Sequence, residues 1–265
     1  MSKSPFGPDR VVLVTGASRG IGAALAEQVA LSKGRVALFA RTREQLDLVA
    51  QQVKSRGAEP LVLEGDVADL ASVRGAHQQV VERWGRVDVA LLNAGTGATF
   101  PLTRFDAERV RRIFEVNVFG IVHWLHCLLP PMLEAKAGTI VGISSLAAQR
   151  GGPSAGAYSA SKAAVSNLLE SVRLEARLSG VAVCTVEPGF VRTEMTAQNK
   201  FEMPFLMEPQ DAARAICEGV ARGKSVIRFP WQLAAGMALM RWMPDWLYER
   251  IGGRMVMRDR DQLRR

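Results

Sequence analysis

The chain has 265 residues, of which 48% are hydrophobic, so it can form a large buried core and lies outside the composition range of disordered proteins. Basic residues outnumber acidic ones by 34 to 26, but no nucleic-acid-binding module accompanies this charge, and we predict no nucleic-acid partner. The three cysteines form no spaced pair and the N-terminus has no apolar secretory segment, so we expect reduced thiols in a cytoplasmic protein. We predict helix packing and no metal site at His123 and His126, which have no carboxylate beside them.

Short apolar segments alternate with helical segments along the chain. We predict strands near residues 11–15, 35–40, 60–64, 87–92, 138–144, 182–187 and 226–229. We predict helices near residues 21–33, 42–56, 70–84, 106–133, 157–179 and 210–222, and we expect Pro130 and Pro131 to end or kink the fourth. The alternation favours a single α/β domain, in which helices cover both faces of a parallel sheet of about seven strands.

A glycine-rich turn follows the first predicted strand. It reads Thr15-Gly16-Ala17-Ser18-Arg19-Gly20-Ile21-Gly22 and lies between an apolar run and a helical segment. Gly16 would permit the tight turn, Gly20 a close approach of the backbone to a diphosphate, and Gly22 close packing of the helix on its strand. Free N–H groups at the helix start would face the anion. The segment predicts a phosphate-binding turn, with a plain strand–helix connection as the alternative.

Tyr158 and Lys162 are one helical turn apart, and Ser145 precedes the tyrosine by thirteen residues. Because residues i and i+4 share a helix face, we expect Lys162 beside Tyr158, where its charge would lower the pKa of the phenol. The Ser145 hydroxyl would bind an oxygen on which negative charge develops, and the adjacent Ser144 is the competing candidate. The pattern predicts proton transfer, although a Tyr–Lys pair taken alone is usually an ordinary pair of surface neighbours.

The ordered motifs resemble those of the short-chain dehydrogenase/reductase family over about residues 9–230. Besides the glycine turn and the Ser145, Tyr158 and Lys162 set, they comprise Asp66, Asn93-Ala94-Gly95, Asn117 and Pro188-Gly189-Phe190-Val191-Arg192-Thr193. The resemblance implies a Rossmann-like, doubly wound fold with the strand order 3-2-1-4-5-6-7. It also implies reversible hydride transfer between a nicotinamide dinucleotide and a carbonyl or alcohol carbon, in a homodimer or homotetramer formed through the helices near 106–133 and 157–179.

The resemblance assigns catalytic roles to four residues. Tyr158 would exchange a proton with the substrate oxygen, Ser145 would hydrogen-bond that oxygen, and Lys162 would also hold the nicotinamide ribose. Asn117 would support a water-linked proton path to the lysine, or it is a structural amide. The implied cofactor contacts are Gly16, Ser18, Arg19, Gly20, Ile21, Gly22, Arg41, Asp66, Val67, Asn93, Ala94, Gly95, Tyr158, Lys162, Pro188, Gly189, Val191 and Thr193.

Two positions leave room for interpretation. Asp66 with Val67 would flank the adenine, but Asp66 reads equally well as the N-cap of the helix that starts near Leu70. Leu92 stands where many relatives have a first asparagine before Asn93, which puts one structural hydrogen bond in doubt.

The residues after the second strand bear on the choice of dinucleotide. An acidic residue there would bond the ribose 2′-hydroxyl of NAD and repel a 2′-phosphate. The strand near 35–40 is followed instead by Arg41, and Arg19 in the glycine turn could reach the same phosphate. We therefore predict NADP, with solvated surface arginines as the alternative.

Two other functions are compatible with the same fold. A non-catalytic sensor of NADP(H) would have no need of the tyrosine and lysine, and both are present. An epimerase or dehydratase acting on a nucleotide sugar usually has a larger C-terminal sugar domain, for which little chain remains.

The segments beyond Thr193 are expected to handle the substrate. The loop 194–209 has apolar side chains that would form a lid over a lipophilic substrate or pack on the domain: Met195, Phe201, Met203, Phe205, Leu206 and Met207. We divide the chain into a catalytic domain, 1–230, and an apolar and basic extension, 231–265. Its tryptophans and arginines fit a membrane surface, but we favour packing over the pocket or against an oligomer partner.

Overall fold

Seven parallel strands form one sheet in the order β3-β2-β1-β4-β5-β6-β7, in a computed structural model that describes residues 5–197 and 202–262. The strands are β1 (Val11–Thr15), β2 (Arg35–Ala40), β3 (Glu59–Glu64), β4 (Val89–Leu92), β5 (Gly138–Ile143), β6 (Val181–Pro188) and β7 (Val226–Phe229). The predicted Rossmann-like fold and strand order are confirmed.

Helices cover both faces of the sheet. They are α1 (Gly20–Ala30), α2 (Arg43–Ser55), α3 (Leu70–Trp84), α4 (Ala107–Phe114), α5 (Gly120–Glu134), α6 (Gly156–Ala176), α7 (Glu194–Ala197), α8 (Pro209–Ala221), α9 (Trp231–Trp242) and α10 (Asp245–Gln262). On β1, Val12 and Val14 pack in one core with α1, α2 and α8, while Val11 and Leu13 pack in another with α3, α5 and α6. Because both of its faces are buried, a central strand such as β1 is apolar over Val11–Val14.

The sheet positions a cleft at the carboxyl ends of its strands. The chain crosses from β1 to β2 and β3 on one side, and returns to β4, β5 and β6 on the other. In open parallel sheets such a reversal of strand order leaves a crevice beyond the strand ends, where ligands bind.

The predicted fourth helix differs in two ways from expectation. A π-helical turn, Glu115–Phe119, separates α4 from α5, and α5 contains Pro130 and Pro131 yet ends only at Glu134. A proline lacks the N–H donor but keeps its carbonyl, and the Ala135 N–H donates to the Pro131 carbonyl at 3.0 Å. The helix therefore does not end at the prolines.

Ala107–Glu134 is also the one helical run, among the described residues, that is long and apolar enough to cross a membrane. Within its most apolar window, 44% is buried inside the fold. Its apolar side chains belong to the core shared with α3 and α6, as expected of a core helix.

Candidate active site

A cleft of about 520 Å³ opens at the carboxyl ends of the strands. It brings together the predicted site residues except two: Gly22 and Asn117 are not in its lining. Its walls contain Gly16, Ser18, Arg19, Gly20, Ile21, Arg41, Asp66, Val67, Asn93, Ala94, Gly95, Ser145, Tyr158, Lys162, Pro188, Gly189, Val191 and Thr193.

The glycine turn has the geometry expected of a phosphate-binding turn. Gly16 and Gly20 have φ values of +64° and +58°, which favour glycine. A Cβ atom on Gly16 would lie 2.8 Å from the Ala94 Cα, and one on Gly22 would overlap the Gly16 carbonyl. The N-cap of α1, Arg19, makes no side-chain capping bond, and the first turn contains no acidic residue. The first N–H groups of α1 are therefore available to an anion.

Asn93 joins the glycine turn to the end of β4. Its side-chain amide donates to the carbonyls of Thr15 at 3.1 Å and Gly16 at 3.4 Å. The Thr15 hydroxyl accepts from the backbone N–H groups of Asn93 and Ala94, both at 3.0 Å. Leu92, at the position of the missing asparagine, is fully buried in the core. One asparagine and a threonine thus hold the two strand ends together.

Ser145, Tyr158 and Lys162 meet at one side of the cleft. Ser145 follows β5, and its side chain hydrogen-bonds Tyr158. The Lys162 ammonium lies 5.8 Å from the centre of the Tyr158 ring and donates to the Ile143 carbonyl at 2.8 Å. The i,i+4 spacing on α6 therefore does bring the two side chains to the same wall of the cleft.

The pKa of Tyr158 differs from the expectation based on spacing alone. Burial is the main influence and raises the pKa of the phenol, while the hydrogen bond with Ser145 opposes it. The expected net lowering of the Tyr158 pKa is therefore wrong for this structure, because the effect of burial dominates and the pKa is raised. Burial also lowers the pKa of Lys162 to about 8, so at pH 7 the ammonium is mainly charged.

Ser144 and Ser145 have different hydrogen-bond partners. The Ser144 hydroxyl donates to the Lys162 carbonyl at 2.8 Å and lies 2.8 Å from the Ser166 hydroxyl. Since these contacts tie β5 to α6, Ser144 supports the helix that carries the tyrosine and lysine. Ser145 is the serine that contacts the phenol.

Asn117 lies in the π-helical turn and is fully buried. Its amide nitrogen donates to the Thr96 carbonyl and the Ser161 hydroxyl, both at 2.9 Å, and its oxygen accepts from the Thr96 N–H at 2.7 Å. The Asn117 oxygen and the Lys162 ammonium lie 3.3 and 3.4 Å from the position that a Cβ atom on Gly95 would occupy. The amide thus secures the loop after β4, and Gly95 leaves space between it and the lysine.

We expect Asn117→Ala to lower the free energy of unfolding by about 2–4 kcal/mol, because it leaves the Thr96 groups and the Ser161 hydroxyl without their buried partner. Chemical denaturation measures the change. Asn167→Ala is the control, because Asn167 is exposed on α6. Equal effects of the two substitutions would contradict a bracing role for Asn117.

The ribose end of the cleft has a basic rim. Arg41 is exposed after β2, and it forms no direct ion pair with a described residue. Asp66 pairs with Arg112 at 2.9 Å. Burial opposes ionisation of Asp66, but the Ala68 N–H, Arg112 and Arg41 together lower its pKa. The N-cap of α3 is Asp69, which accepts from Ala71 and Ser72, so the alternative of Asp66 as that cap is wrong.

Arg19 lies in the cleft wall and has a carboxylate partner. Its guanidinium pairs with Glu194 at the start of α7, so the glycine turn is linked to the segment that follows Thr193. In this arrangement Arg19 has a carboxylate partner, whereas Arg41 at the end of β2 has none among the described residues.

Gly97 and Met195 form the substrate end of the cleft. A Cβ atom on Gly97 would lie 3.1 Å from the Met195 sulfur and 3.3 Å from the Tyr158 ring. Met195 and Tyr158 therefore both lie beside Gly97, at the end of the cleft where the predicted loop 194–209 begins. Met203, Phe205, Leu206 and Met207 are exposed or half-buried, while Phe201 lies outside the described residues.

Glu187 is a site residue that the sequence analysis missed. Its carboxylate is 3% exposed and accepts from Gln149 at 2.6 Å and Arg228 at 2.7 Å, and Ser166 donates to it at 3.4 Å. It therefore braces the loop after Ser145 and the helix of Lys162 against β7. The signal was an acidic residue inside the apolar run of β6.

Comparison with known proteins identifies the family. Residues 10–203 match the family described as short chain dehydrogenase. The chain belongs to the short-chain dehydrogenases. An uncharacterized oxidoreductase of Myxococcus xanthus (strain DK1622) is 40% identical over 250 residues, which cover 93% of this chain and 97% of that protein.

Two solved structures resemble this short-chain dehydrogenase and contain different dinucleotides. The Burkholderia phymatum short chain dehydrogenase/reductase in complex with NAD is 26% identical, with a TM-score of 0.83, covering 89% of this chain and 94% of that one. The Sphingobium yanoikuyae short-chain dehydrogenase in complex with NADPH is 27% identical, with a TM-score of 0.77, covering 89% and 97%. Both support a nicotinamide cofactor.

The residues of the cleft fit a nicotinamide dinucleotide. A Cβ atom on Gly20 would lie 3.1 Å from Thr193, so only a glycine leaves the space between the α1 start and the turn after β6. The uncapped N–H groups of α1 suit a diphosphate, and the space beside Gly95 adjoins the lysine.

Proposed function

We propose that this short-chain dehydrogenase interconverts a ketone or aldehyde and an alcohol with NADP(H). The observation that carries the proposal is the convergence of Ser145, Tyr158 and Lys162 in the cleft that also contains the glycine turn. When bound, the nicotinamide supplies or accepts the hydride. The protein supplies the position of the substrate oxygen and the proton for it.

Tyr158 acts as the general acid in the reducing direction. Its raised pKa keeps the phenol protonated at neutral pH, which is the form that donates to a carbonyl oxygen. In the oxidising direction the phenolate accepts the proton, and the charged Lys162 nearby favours that form.

Ser145 and Lys162 bind different partners: the serine binds the substrate oxygen and the lysine binds the nicotinamide ribose. The Ser145 hydroxyl, already bonded to the phenol, hydrogen-bonds the substrate oxygen as negative charge develops there. We assign Lys162 to the nicotinamide ribose and Asn117 to a proton path to the lysine. Support for this path comes from the space that Gly95 leaves between them.

We propose NADP rather than NAD. The support is local: no acidic residue occupies the end of β2, and Arg41, which follows it, has no direct ion-pair partner among the described residues. A guanidinium can bind the 2′-phosphate through two parallel hydrogen bonds. We place Val67 and Asp66 at the adenine, Pro188, Gly189 and Val191 at the nicotinamide end, and Thr193 at the carboxamide.

We propose a lipophilic substrate and a cytoplasmic, oligomeric enzyme. The apolar Met195 side chain, in the cleft wall that also contains Tyr158, favours an apolar substrate. An apolar hollow between α5 and α6 and the exposed Leu174 and Leu178 support association through those helices. Residues 1–230 would form the catalytic domain and 231–265 an extension.

A screen of NADPH oxidation over ketones and aldehydes of graded size tests the function. We expect turnover that improves with apolar substrates and a higher kcat/KM with NADPH than with NADH. If NADPH binds but no carbonyl compound is turned over, the protein is a sensor of the dinucleotide. Equal or better efficiency with NADH would contradict the cofactor assignment alone.

A further inference from the structure

Helix α9 presents a continuous apolar stripe to solvent. Its members are exposed and lie on one side of the helix at 3.6 residues per turn: Trp231, Ala235, Ala238, Leu239 and Trp242. Trp242 is 85% exposed and Leu239 71%. Trp246, at the start of α10, extends the exposed apolar surface. We call this surface the tryptophan stripe.

The opposite side of α9 is fixed to the catalytic domain. Leu233, Met237 and Met240 are half-buried, and the Leu233 side chain lies 2.6 Å from the position of a Cβ atom on Gly189. Because this side is occupied by the domain, the orientation of the tryptophan stripe is set by packing and not by free rotation of the helix.

Arg150 holds the C-terminal end of α9. Its guanidinium donates to the Met243 carbonyl at 2.9 Å and to Asp245 at 2.6 Å, and lies 4.3 Å from the centre of the Tyr248 ring. The Tyr248 hydroxyl donates to the Gly151 carbonyl at 2.6 Å. These contacts direct the start of α10 as well, so the stripe is a defined surface of the protein.

We propose that the tryptophan stripe docks on the surface of an anionic lipid bilayer. Tryptophan combines a large apolar ring with an N–H donor and is suited to the boundary between lipid and water. From Arg250 to Arg265 the sequence contains six arginines against two aspartates, and the whole chain has a net charge of +8. A positively charged chain is attracted to acidic headgroups, which adds to the apolar contact.

The size of the stripe favours a bilayer over a second copy of the chain. At about 1.5 Å per residue, the helix is about 18 Å long and about 10 Å wide, an outline of roughly 200 Å². A stable dimer buries about 800 Å² on each partner. A bilayer accepts a shallow, convex helix face, because lipids adapt their positions to it.

The extension that carries the stripe contacts the loop between Ser145 and α6. Loop 146–155 contacts the extension through Arg150 and Gly151, and its Ser154 carbonyl accepts from the Phe100 N–H at 2.9 Å. If the substrate is lipophilic, as the proposed function has it, docking would bring the enzyme to the phase in which that substrate dissolves. The docking itself does not depend on the reaction.

Two matched leucine variants test the docking. Leu239→Glu changes the stripe, whereas Leu48→Glu makes the same change at a 63% exposed leucine on α2. The full chain and both variants are sedimented with vesicles of phosphatidylcholine, with and without phosphatidylserine. We expect wild type and Leu48→Glu to sediment with the anionic vesicles, and Leu239→Glu to bind them at least about tenfold more weakly, since it loses the burial of a leucine.

Tryptophan fluorescence gives a second measurement that needs no variant. Three of the five tryptophans lie between 231 and 246, so anionic vesicles should shift the wild-type emission to shorter wavelength. Three outcomes would overturn the proposal. The wild type could remain in the supernatant, all three proteins could sediment equally, or the wild type could form an oligomer that only Leu239→Glu dissociates. Turnover of a water-soluble ketone should be the same for all three, so failure of the docking and failure of the proposed reaction are distinguishable.

Discussion

Replacing Tyr158 by Phe should lower kcat by roughly 10²- to 10⁴-fold while leaving the affinity for NADPH nearly unchanged. The substitution keeps the ring that packs against Gly97 and removes only the hydroxyl that bonds Ser145. The proton for the substrate oxygen then has to come from water. Steady-state kinetics and a fluorescence titration with NADPH measure the two quantities separately.

The chain supplies its own control for this substitution. It has two tyrosines, and the Tyr248 hydroxyl bonds the Gly151 carbonyl outside the cleft. Tyr248→Phe should therefore retain most of the activity. Substantial turnover by Tyr158→Phe would mean that another group is the acid, and a parallel loss of NADPH binding would mean that the substitution disturbs the fold of the cleft.

Replacing Arg41 by Asp should reverse the choice of dinucleotide. Hydrogen bonds to a charged group contribute about 1.5–3 kcal/mol, so kcat/KM with NADPH should fall roughly 10- to 150-fold. An aspartate after β2 can instead accept from the ribose hydroxyl of NADH, and efficiency with NADH should rise. The ratio of kcat/KM for the two dinucleotides is the measurement.

Arg43→Asp is the matched control for cofactor choice. Arg43 pairs with Asp47 on the surface of α2 and is not part of the cleft wall, so its replacement makes the same charge change with little effect on stability. If both variants change the ratio equally, the effect is the overall charge of the protein. If neither does, Arg41 does not contact the 2′-phosphate.

The alternation of strands and helices could be predicted because the central strands are buried on both faces, whereas the order of the strands in the sheet was implied only by the family resemblance. Val11–Val14 is continuously apolar and divides its side chains between two cores, and the same reason makes the other central strands recognisable. Helix ends were predicted within a few residues. Helix α5 continues past Pro130 because N–H groups later in the chain donate to the carbonyls of its last turn. The π-helical turn has no signal in the spacing of apolar residues.

The site residues were predictable as a set but not in their partners. Arg19 and Glu194 are 175 residues apart, so their pairing depends on how β6 and α1 meet. The choice of Asp69 over Asp66 as the N-cap depends on which carboxylate reaches the first N–H groups of α3. The spacing of Tyr158 and Lys162 correctly implied proximity, but the pKa of the phenol depends on burial, which involves residues from several elements.

The π-helical turn makes the length of the segment before α5 critical. Such a turn contains one residue more than the helical turns beside it, and buried residues precede, occupy and follow it: Ile113, Asn117 and Ile121. Removing one residue between 115 and 119 would give a regular helix, but it would rotate the helix before that point by about 100° relative to α5. Engineered chains with altered loops or grafted helices must keep the length of this segment, because a frame change there would disturb the core and the contacts of Asn117 with Thr96 and Ser161 together.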